Sequence, residues 1–376
     1  MKKFDVAALG SGNIDIFLSI PSLPTRGGKV VGTRLGEQAG GTVANSACAM
    51  GQLGLNVVSV SCVGNDHSAS IILDGFKKYH VNCDFVQVIP ELIANTAIIF
   101  IDELGEKTLV YSPGSDHEWD KEKALQQLRK AVIIIRCQQI SRNSYAAEYS
   151  RSQMTKVVVD IEPHIIATPE HLARILHLAD IAIFNYDGFI RGYAAEPDFT
   201  LLHDIQDEYQ LEAVVVTLDV RGVIAVKGNE QVKIGSYTIP IIDTTGAGDT
   251  FNGAFVYSLI KNMPLIEALK FASATAAINI TALGARGHLA TPSEVNLFSF
   301  TTRLKSDTYT KVNIMKIRHA AIFLALPLLC TTAQANSFLH YAGEFNFRTG
   351  EKQNNVTIAG LSAITFDAKK KYFLCY

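Results

Sequence analysis

Six apolar runs of strand length, at 6–9, 57–61, 132–135, 157–159, 181–184 and 214–217, are separated by stretches of helical periodicity at 43–54, 67–79, 120–130, 169–178, 249–262 and 264–282. Runs that stay apolar without polar alternation suit strands buried on both faces. Strands alternating with helices need crossover connections, and the arrangement that satisfies both conditions is a mostly parallel central sheet with helices on both faces. Two segments break the rhythm, at 15–38 and 95–112. There, pieces such as IFLSI, KVVGTRL, TAIIFID and KTLVYS, separated by Pro, Gly and Asp, predict antiparallel strands that stand off the main sheet as a lid or a small second sheet.

A chain of 376 residues suffices for two average domains or one large α/β domain. With 48% hydrophobic and 19% charged residues and a formal net charge of −2, it carries no block that would draw it to nucleic acid or to a membrane surface. Small molecules are the expected partners. The cysteines, Cys48, Cys62, Cys83, Cys137, Cys330 and Cys375, lack CxxC spacing and companion histidines, which speaks against a zinc site or a disulfide framework and for buried thiols in a reducing compartment. His67, His80, His117, His164 and His171 are isolated, as surface or half-buried histidines are. The N-terminus, MKKFDVAALG, has no long apolar region after its lysines, so it is no export signal and a cytoplasmic location is expected.

The stretch IIDTTGAGDTFNGAF at 241–255 places a glycine-rich bend between an apolar pair and a helix opening near Asp249. It is not a dinucleotide fingerprint, because Phe251 breaks the glycine spacing, and not a Walker loop, because it has no lysine. A helix N-terminus with unpaired N–H groups converging on one spot favours an anion. Asp249 would be held charged there by the helix dipole and could take a proton from a hydroxyl beside the anion. Anion site and base together describe phosphoryl transfer to an alcohol. The same residues equally suit a capped helix after a glycine turn, with no ligand involved.

DTTGAGDTFNGAF at 243–255 closely resembles the C-terminal signature of the ribokinase-like (PfkB) carbohydrate kinases, and AGGTVANSACAMGQLG at 39–54 resembles their N-terminal signature. The resemblance spans roughly residues 4–300 and includes NID at 13–15, VGND at 63–66, VVVTLDVRGVIAV at 214–226 and ALGARGHLATPSEV at 282–295. It implies a three-layer ribokinase-like α/β fold with a small β-sheet lid, and ATP-dependent phosphorylation of a hydroxyl on a sugar or sugar-like substrate. By position, Asp15, Gly40, Gly41 and Asn45 would contact substrate hydroxyls. Gly246, Ala247 and Gly248 would donate N–H groups to the transferring phosphoryl, with Asp249 as base. Asn185, Thr217, Gly222 and Thr244 fall where the family places nucleotide contacts, although Thr244 also suits an Asx-type turn begun by Asp243. ATP and Mg2+ are the implied cofactors, and a monovalent cation and a homodimer through the lid are both left open.

The chain departs from the family pattern in places. The Asn-x-x-Glu that often follows a central strand reads NYDG here, so Asn185 is kept while Gly188 stands at the Glu position and Asp187 one residue early. No metal ligand is therefore assigned, and Mg2+ would rely on nucleotide phosphates and water. GGTV at 40–43, in place of the GGKG of ribose-specific members, counts against ribose. Asp219 stands where many members have glycine. A nucleoside kinase of the same family is the alternative reading within the enzyme class, and the missing glutamate leaves room for a catalytically weak sugar-binding sensor.

A kinase domain is expected over 1–304, closed by a helix at about 292–304. From Met315 the chain reads MKIRHAAIFLALPLLCTTAQANS, which has the basic, apolar and small-residue regions of a secretory signal peptide at 315–335. The apolar run at 320–329 is too short to span a membrane. The expected reading is a non-kinase tail over 305–376, a signal peptide followed by the start of an unrelated exported protein. An amphipathic or apolar C-terminal helix packed on the kinase or on a partner is the other reading.

Overall fold

All six apolar runs become neighbouring parallel strands. The computed structural model describes residues 3–115, 120, 122, 125, 131–136, 155–304 and 309–312, with four short strands between 352 and 375. Its strands are β1 (Phe4–Leu9), β2 (Asn13–Ser19), β3 (Thr33–Gly40), β4 (Val57–Val60), β5 (Cys62–Val63), β6 (Gln87–Val88), β7 (Asn95–Ile101), β8 (Lys107–Ser112), β9 (Ala131–Arg136), β10 (Lys156–Ile161), β11 (Ile181–Asn185), β12 (Ala213–Thr217), β13 (Val223–Lys227), β14 (Glu230–Ile234) and β15 (Tyr309–Val312). The helices are α1 (Thr42–Gln52), α2 (His67–Lys78), α3 (Pro169–His177), α4 (Tyr186–Tyr193), α5 (Phe199–Tyr209), α6 (Ala247–Ile260), α7 (Leu265–Asn279) and α8 (Pro292–Thr301).

The main sheet runs β15-β14-β13-β12-β11-β10-β9-β1-β4. From β12 to β4 it is parallel, and β13, β14 and β15 extend it as antiparallel strands. Valine and isoleucine dominate its centre: Val157, Val158, Ile181, Val214, Val215 and Val226 are fully enclosed, as expected for strands covered on both faces. Phe184, Phe189 and Phe255 fill the space between sheet and helices.

Helices α1 and α6 approach each other closely. A Cβ on Gly253 of α6 would lie 2.7 Å from the Ser46 carbonyl of α1, so the missing side chain lets the two helices touch backbone to backbone. That approach puts Asn45 and Ser46 beside the first turn of α6.

The second sheet, β3-β2-β7-β8, forms the lid, with β2 and β7 parallel and its outer pairs antiparallel. Its strands differ from the expected segments in detail. Residues 29–32 carry no strand, and β3 runs on to Gly40, next to the start of α1. Helical periodicity does not single out α4 and α5; both begin at a side-chain cap, Asn185 and Asp198, whose carboxamide and carboxylate accept the Gly188 and Leu201 N–H groups.

Beyond Leu304, where the kinase domain was expected to end, β15 pairs with β14 through Glu230↔Val312 to Lys233↔Tyr309. The first compact unit extends to Lys316. Residues from Ile317 form a separate unit, in which 352–353 pairs with 356–357 and 364–367 with 372–375. The signal-like segment 315–335, His117, Cys137, Cys330 and most of the expected helix at 120–130 lie outside the described residues. Among the described residues no helix is long and apolar enough to cross a membrane.

Candidate active site

A cavity of about 860 Å³ opens between the lid and the main sheet. Glu162, Asn185 and Thr217, at the carboxyl ends of β10, β11 and β12, line it from below, and Ala97, Ile99, Leu109 and Tyr111 cover it from the lid. Clefts at the carboxyl ends of parallel strands are where open α/β sheets take their ligands.

α6 starts in this cavity. Gly246 is its N-cap, with φ +75°, a left-handed conformation that favours glycine. A Cβ there would also stand 2.7 Å from the Ala285 backbone. Gly246, Ala247, Gly248 and Thr244 all line the cavity. The Ala247 N–H is taken by the Thr244 carbonyl at 3.2 Å, whereas Gly248 and Asp249, in the first helical turn, have no carbonyl one turn back to pair with. The unpaired N–H groups of this helix start are thus those of Gly248 and Asp249, and Ala247 closes the turn.

Asp249 sits in that first turn, and its carboxylate accepts a 2.8 Å hydrogen bond from the Asn45 carboxamide. The Ser46 hydroxyl donates to the Asp249 carbonyl at 2.9 Å. Burial pushes the Asp249 carboxyl up to about 7; Asn45 and Arg286 oppose the shift, while Glu162 and Asp15 add to it. A carboxyl so placed exchanges a proton near neutral pH, which suits a general base.

Asp15 on β2 faces the same cavity. Burial lifts its carboxyl to about 6, against a 2.6 Å hydrogen bond from the Asn13 carboxamide and the nearby charge of Arg286. Gly41, with φ +101°, lines the cavity too. Gly40 stands behind Asp15, and a side chain there would collide with the Asp15 carboxylate. Of the four residues expected to touch substrate, Asp15, Gly41 and Asn45 therefore share the cavity wall, and Gly40 makes room for Asp15.

Asn185, Thr217 and Gly222 gather at the other end with Asp219. Asn185 is also the cap of α4, accepting from the Gly188 N–H at 2.7 Å. Asp219 has φ +51°, a conformation in which glycine is the unstrained choice, so the residue common among family members at this position has a backbone reason. At Gly188 an added Cβ would run into the Ile161 carbonyl, which leaves no room for a glutamate in this packing.

Several residues of the site carry no obvious mark in the sequence. Glu162 and His164 line the cavity, with His164 Nδ1 3.2 Å from the Glu162 carboxylate. Beside them Asp160 is buried, and its carboxyl is pushed well up by burial and by the neighbouring Glu162 and Asp249 charges, against a hydrogen bond from Asn252. The position of DIEPH at the carboxyl end of a parallel strand was the available signal. Arg286, itself buried, donates from Nε to Asn45 Oδ1 at 2.8 Å and from Nη2 to the Gly40 carbonyl at 3.1 Å. No sequence signal announces this, because its partners lie more than 240 residues earlier.

The pfkB family carbohydrate kinase model matches residues 3–292. The Bacillus subtilis ribokinase is 27% identical over 296 residues, covering 77% of this chain and 98% of its own. The Salmonella typhi deoxyribokinase is 22% identical over 296 residues, 74% of this chain and 94% of that protein. The solved structure of the Arabidopsis thaliana ribokinase complexed with ribose and ATP superposes with a TM-score of 0.69 at 21% identity, covering 79% of this chain and 98% of that one. The likeness in structure confirms the expected three-layer fold with its lid, and the family match spans both signatures: the chain belongs to the pfkB family of carbohydrate kinases.

Proposed function

We propose that the protein transfers the γ-phosphoryl group of ATP to a hydroxyl of a free sugar or sugar-like alcohol held between Asp15 and Asp249. One observation carries the reading: a carboxylate raised towards neutrality, Asp249, stands in the first turn of a helix whose N-terminus opens into a cavity faced by a second buried carboxylate, Asp15. Asp15 and Asn13 would accept from and donate to neighbouring sugar hydroxyls. The acceptor hydroxyl gives its proton to the Asp249 carboxylate as its oxygen bonds to the γ-phosphorus, and the bond from that phosphorus to the bridging oxygen breaks to release ADP. The N–H groups around Gly246 and Gly248 stabilise charge on the phosphoryl oxygens in transit. The lid residues Leu109 and Tyr111 keep water, the competing acceptor, away from the phosphoryl.

Asn185, Thr217, Gly222 and Thr244 form the nucleotide end of the site. Among the described residues no group of three or more His, Cys, Asp or Glu side chains is placed to hold a metal. Glu162 and Asn185 are the oxygen donors in the cavity that fit a Mg2+ arriving with the nucleotide, an ion that keeps most of its ligands as phosphate and water. Bound there, Mg2+ would neutralise phosphate charge.

An ADP-release assay across pentoses, hexoses, deoxysugars, sugar phosphates and nucleosides tests the proposal. A free sugar that stimulates ADP release and gains phosphate supports it. Turnover confined to nucleosides selects the nucleoside-kinase reading, and saturable sugar binding without any turnover selects the sensor.

A further inference from the structure

Asp243 opens the anion turn and its side chain is fully enclosed. It accepts from the Thr245 N–H at 2.8 Å, the Thr245 hydroxyl at 2.7 Å and the Gly284 N–H at 2.8 Å. Burial favours the neutral acid, yet Lys107 and these donors outweigh it and hold the carboxyl below its ordinary value. Asp243 is therefore a buried anion that ties the turn preceding Gly246 to the loop at Gly284.

Its countercharge comes from the lid. Lys107 makes an ion pair with Asp243. Lys107 is the first residue of β8, paired with Ile101 at the hairpin end of β7, whereas the other end of β7 sits beside Asn13. Alternate residues of a strand share a face, and the next two on this face, Leu109 and Tyr111, line the cavity. The lid face that covers the substrate thus also delivers an ammonium group to the anion turn.

A monovalent cation serving this turn would need a buried, ionised carboxylate as its seat. Asp243 has that character, but the Lys107 ammonium already supplies a positive charge at Oδ1, beside the Thr245 donors, and the Gly284 N–H takes Oδ2, so the residues present do not fit an added ion.

We infer that Lys107 is a positioning residue that takes the place of a monovalent cation at the anion turn, bringing its charge when the lid is closed and withdrawing it when the lid opens. The turn is then fully braced only with the lid down, which ties phosphoryl transfer to exclusion of water. The catalytic part of this inference rests on the kinase reading; the ion pair and its cation specificity do not.

The test compares wild type with Lys107→Ala, Lys107→Met and Lys107→Arg at constant ionic strength in K+, NH4+, Na+ or tetramethylammonium salts. Wild-type turnover and melting temperature should not depend on which cation is present. Lys107→Ala should lose about 10- to 100-fold in kcat, less than the roughly 10²–10³-fold cost of removing a direct oxyanion donor, with a smaller change in KM. K+ or NH4+ should restore part of that loss and also raise the melting temperature of the unliganded variant. Lys107→Arg should retain most activity. A wild type that requires K+ overturns the inference, as do alanine and methionine variants with normal kcat and no response to cations. Should every sugar fail as a substrate, the melting comparison still decides the point, so failure of the kinase reading is distinguishable from failure of this one.

Discussion

Asn45 and Asp249 lie 204 positions apart and meet at 2.8 Å, carboxamide to carboxylate. The other end of the Asn45 carboxamide accepts from Arg286 Nε, which fixes its orientation so that its donor faces Asp249. Each signature of the family thus supplies one partner, and a buried arginine holds them in register. Arg286→Leu removes this orienting contact and leaves the buried Gly40 carbonyl without its donor, a cost of about 1–3 kcal/mol. It also removes positive charge that holds down the Asp249 carboxyl. The expected result is a lower melting temperature together with an acid limb of the kcat/KM profile displaced to higher pH. An unchanged pH profile would assign Arg286 to packing alone.

The pH dependence of the wild type follows from the same carboxyl. With Asp249 needed in its ionised form and its carboxyl raised to about 7, kcat/KM should climb tenfold per pH unit below about 7 and level off above it, since this profile reports the free enzyme. Asp249→Asn should flatten that limb and cost roughly 10²–10⁴ in turnover. A variant with near-normal turnover on a confirmed substrate would remove Asp249 from the role of base.

Stability should move in the opposite sense. Asp249 binds its proton more tightly in the folded chain than at its ordinary value of 3.8, so the stability it contributes is complete below that value and is lost as pH rises through about 7. Asp249→Asn removes this loss. The melting temperature of the variant, relative to wild type, should therefore rise between pH 5 and pH 8, a comparison that cancels the other carboxyls. A constant difference across that range would show that the folded protein does not shift this group.

What the sequence disclosed and what it withheld divide along the range of the interactions. The parallel sheet was legible because β1, β4, β9, β10, β11 and β12 each carry an apolar run, and burial on both faces is a local property of a strand. Asp249 and Gly246 were legible because the anion turn is built from consecutive residues. Arg286 and Lys107 were not, since each acquires its role only when distant segments meet: Arg286 reaches Asn45, and Lys107 reaches Asp243 across the lid. Gly188 is an intermediate case. The sequence shows a glutamate missing, and the packing against Ile161 shows why no side chain takes its place.

Gly188→Glu, which would recreate the pattern common in the family, should accordingly fail to improve the enzyme. The new Cβ meets the Ile161 carbonyl and comes within 2.9 Å of the Asn185 carboxamide oxygen that caps α4. Overpacking of this kind costs typically about 1–3 kcal/mol, so melting temperature should fall and Mg2+-dependent turnover should not rise. A gain in turnover at unchanged stability would mean that α4 shifts to admit the side chain.

Asp15→Ala should mainly weaken sugar binding. The carboxylate faces the cavity, and its loss strands both the substrate hydroxyl it would accept from and the Asn13 carboxamide that now donates to it, each worth about 1–3 kcal/mol if left unpaired in a buried site. On the proposed assignment of the nucleotide to Asn185, Thr217 and Gly222, which line the same cavity, ATP affinity should hardly move. Calorimetry in which ATP affinity falls as much as sugar affinity would relocate Asp15.

The position of β15 turns the question of the tail into a comparison of two truncations. Stopping the chain after Leu304 removes Tyr309–Val312 and leaves the outer edge of β14, from Glu230 to Lys233, without its antiparallel partner. Exposed edge strands lower stability and invite pairing with other chains, so this truncation should melt several degrees lower and associate more readily. Stopping after Lys316 keeps β15 and ends where the first compact unit ends. If the residues beyond belong to a foreign exported segment, this second truncation should match the full chain in turnover and sugar affinity and should gain solubility by losing the apolar run at 320–329. The rival reading, a C-terminal helix packed on the kinase, predicts that removing Phe323 and its neighbouring leucines strips apolar cover worth about 1.5–3 kcal/mol for each side chain. A chain ending at Lys316 that melts well below the full-length protein, or loses activity, would make the tail part of the enzyme.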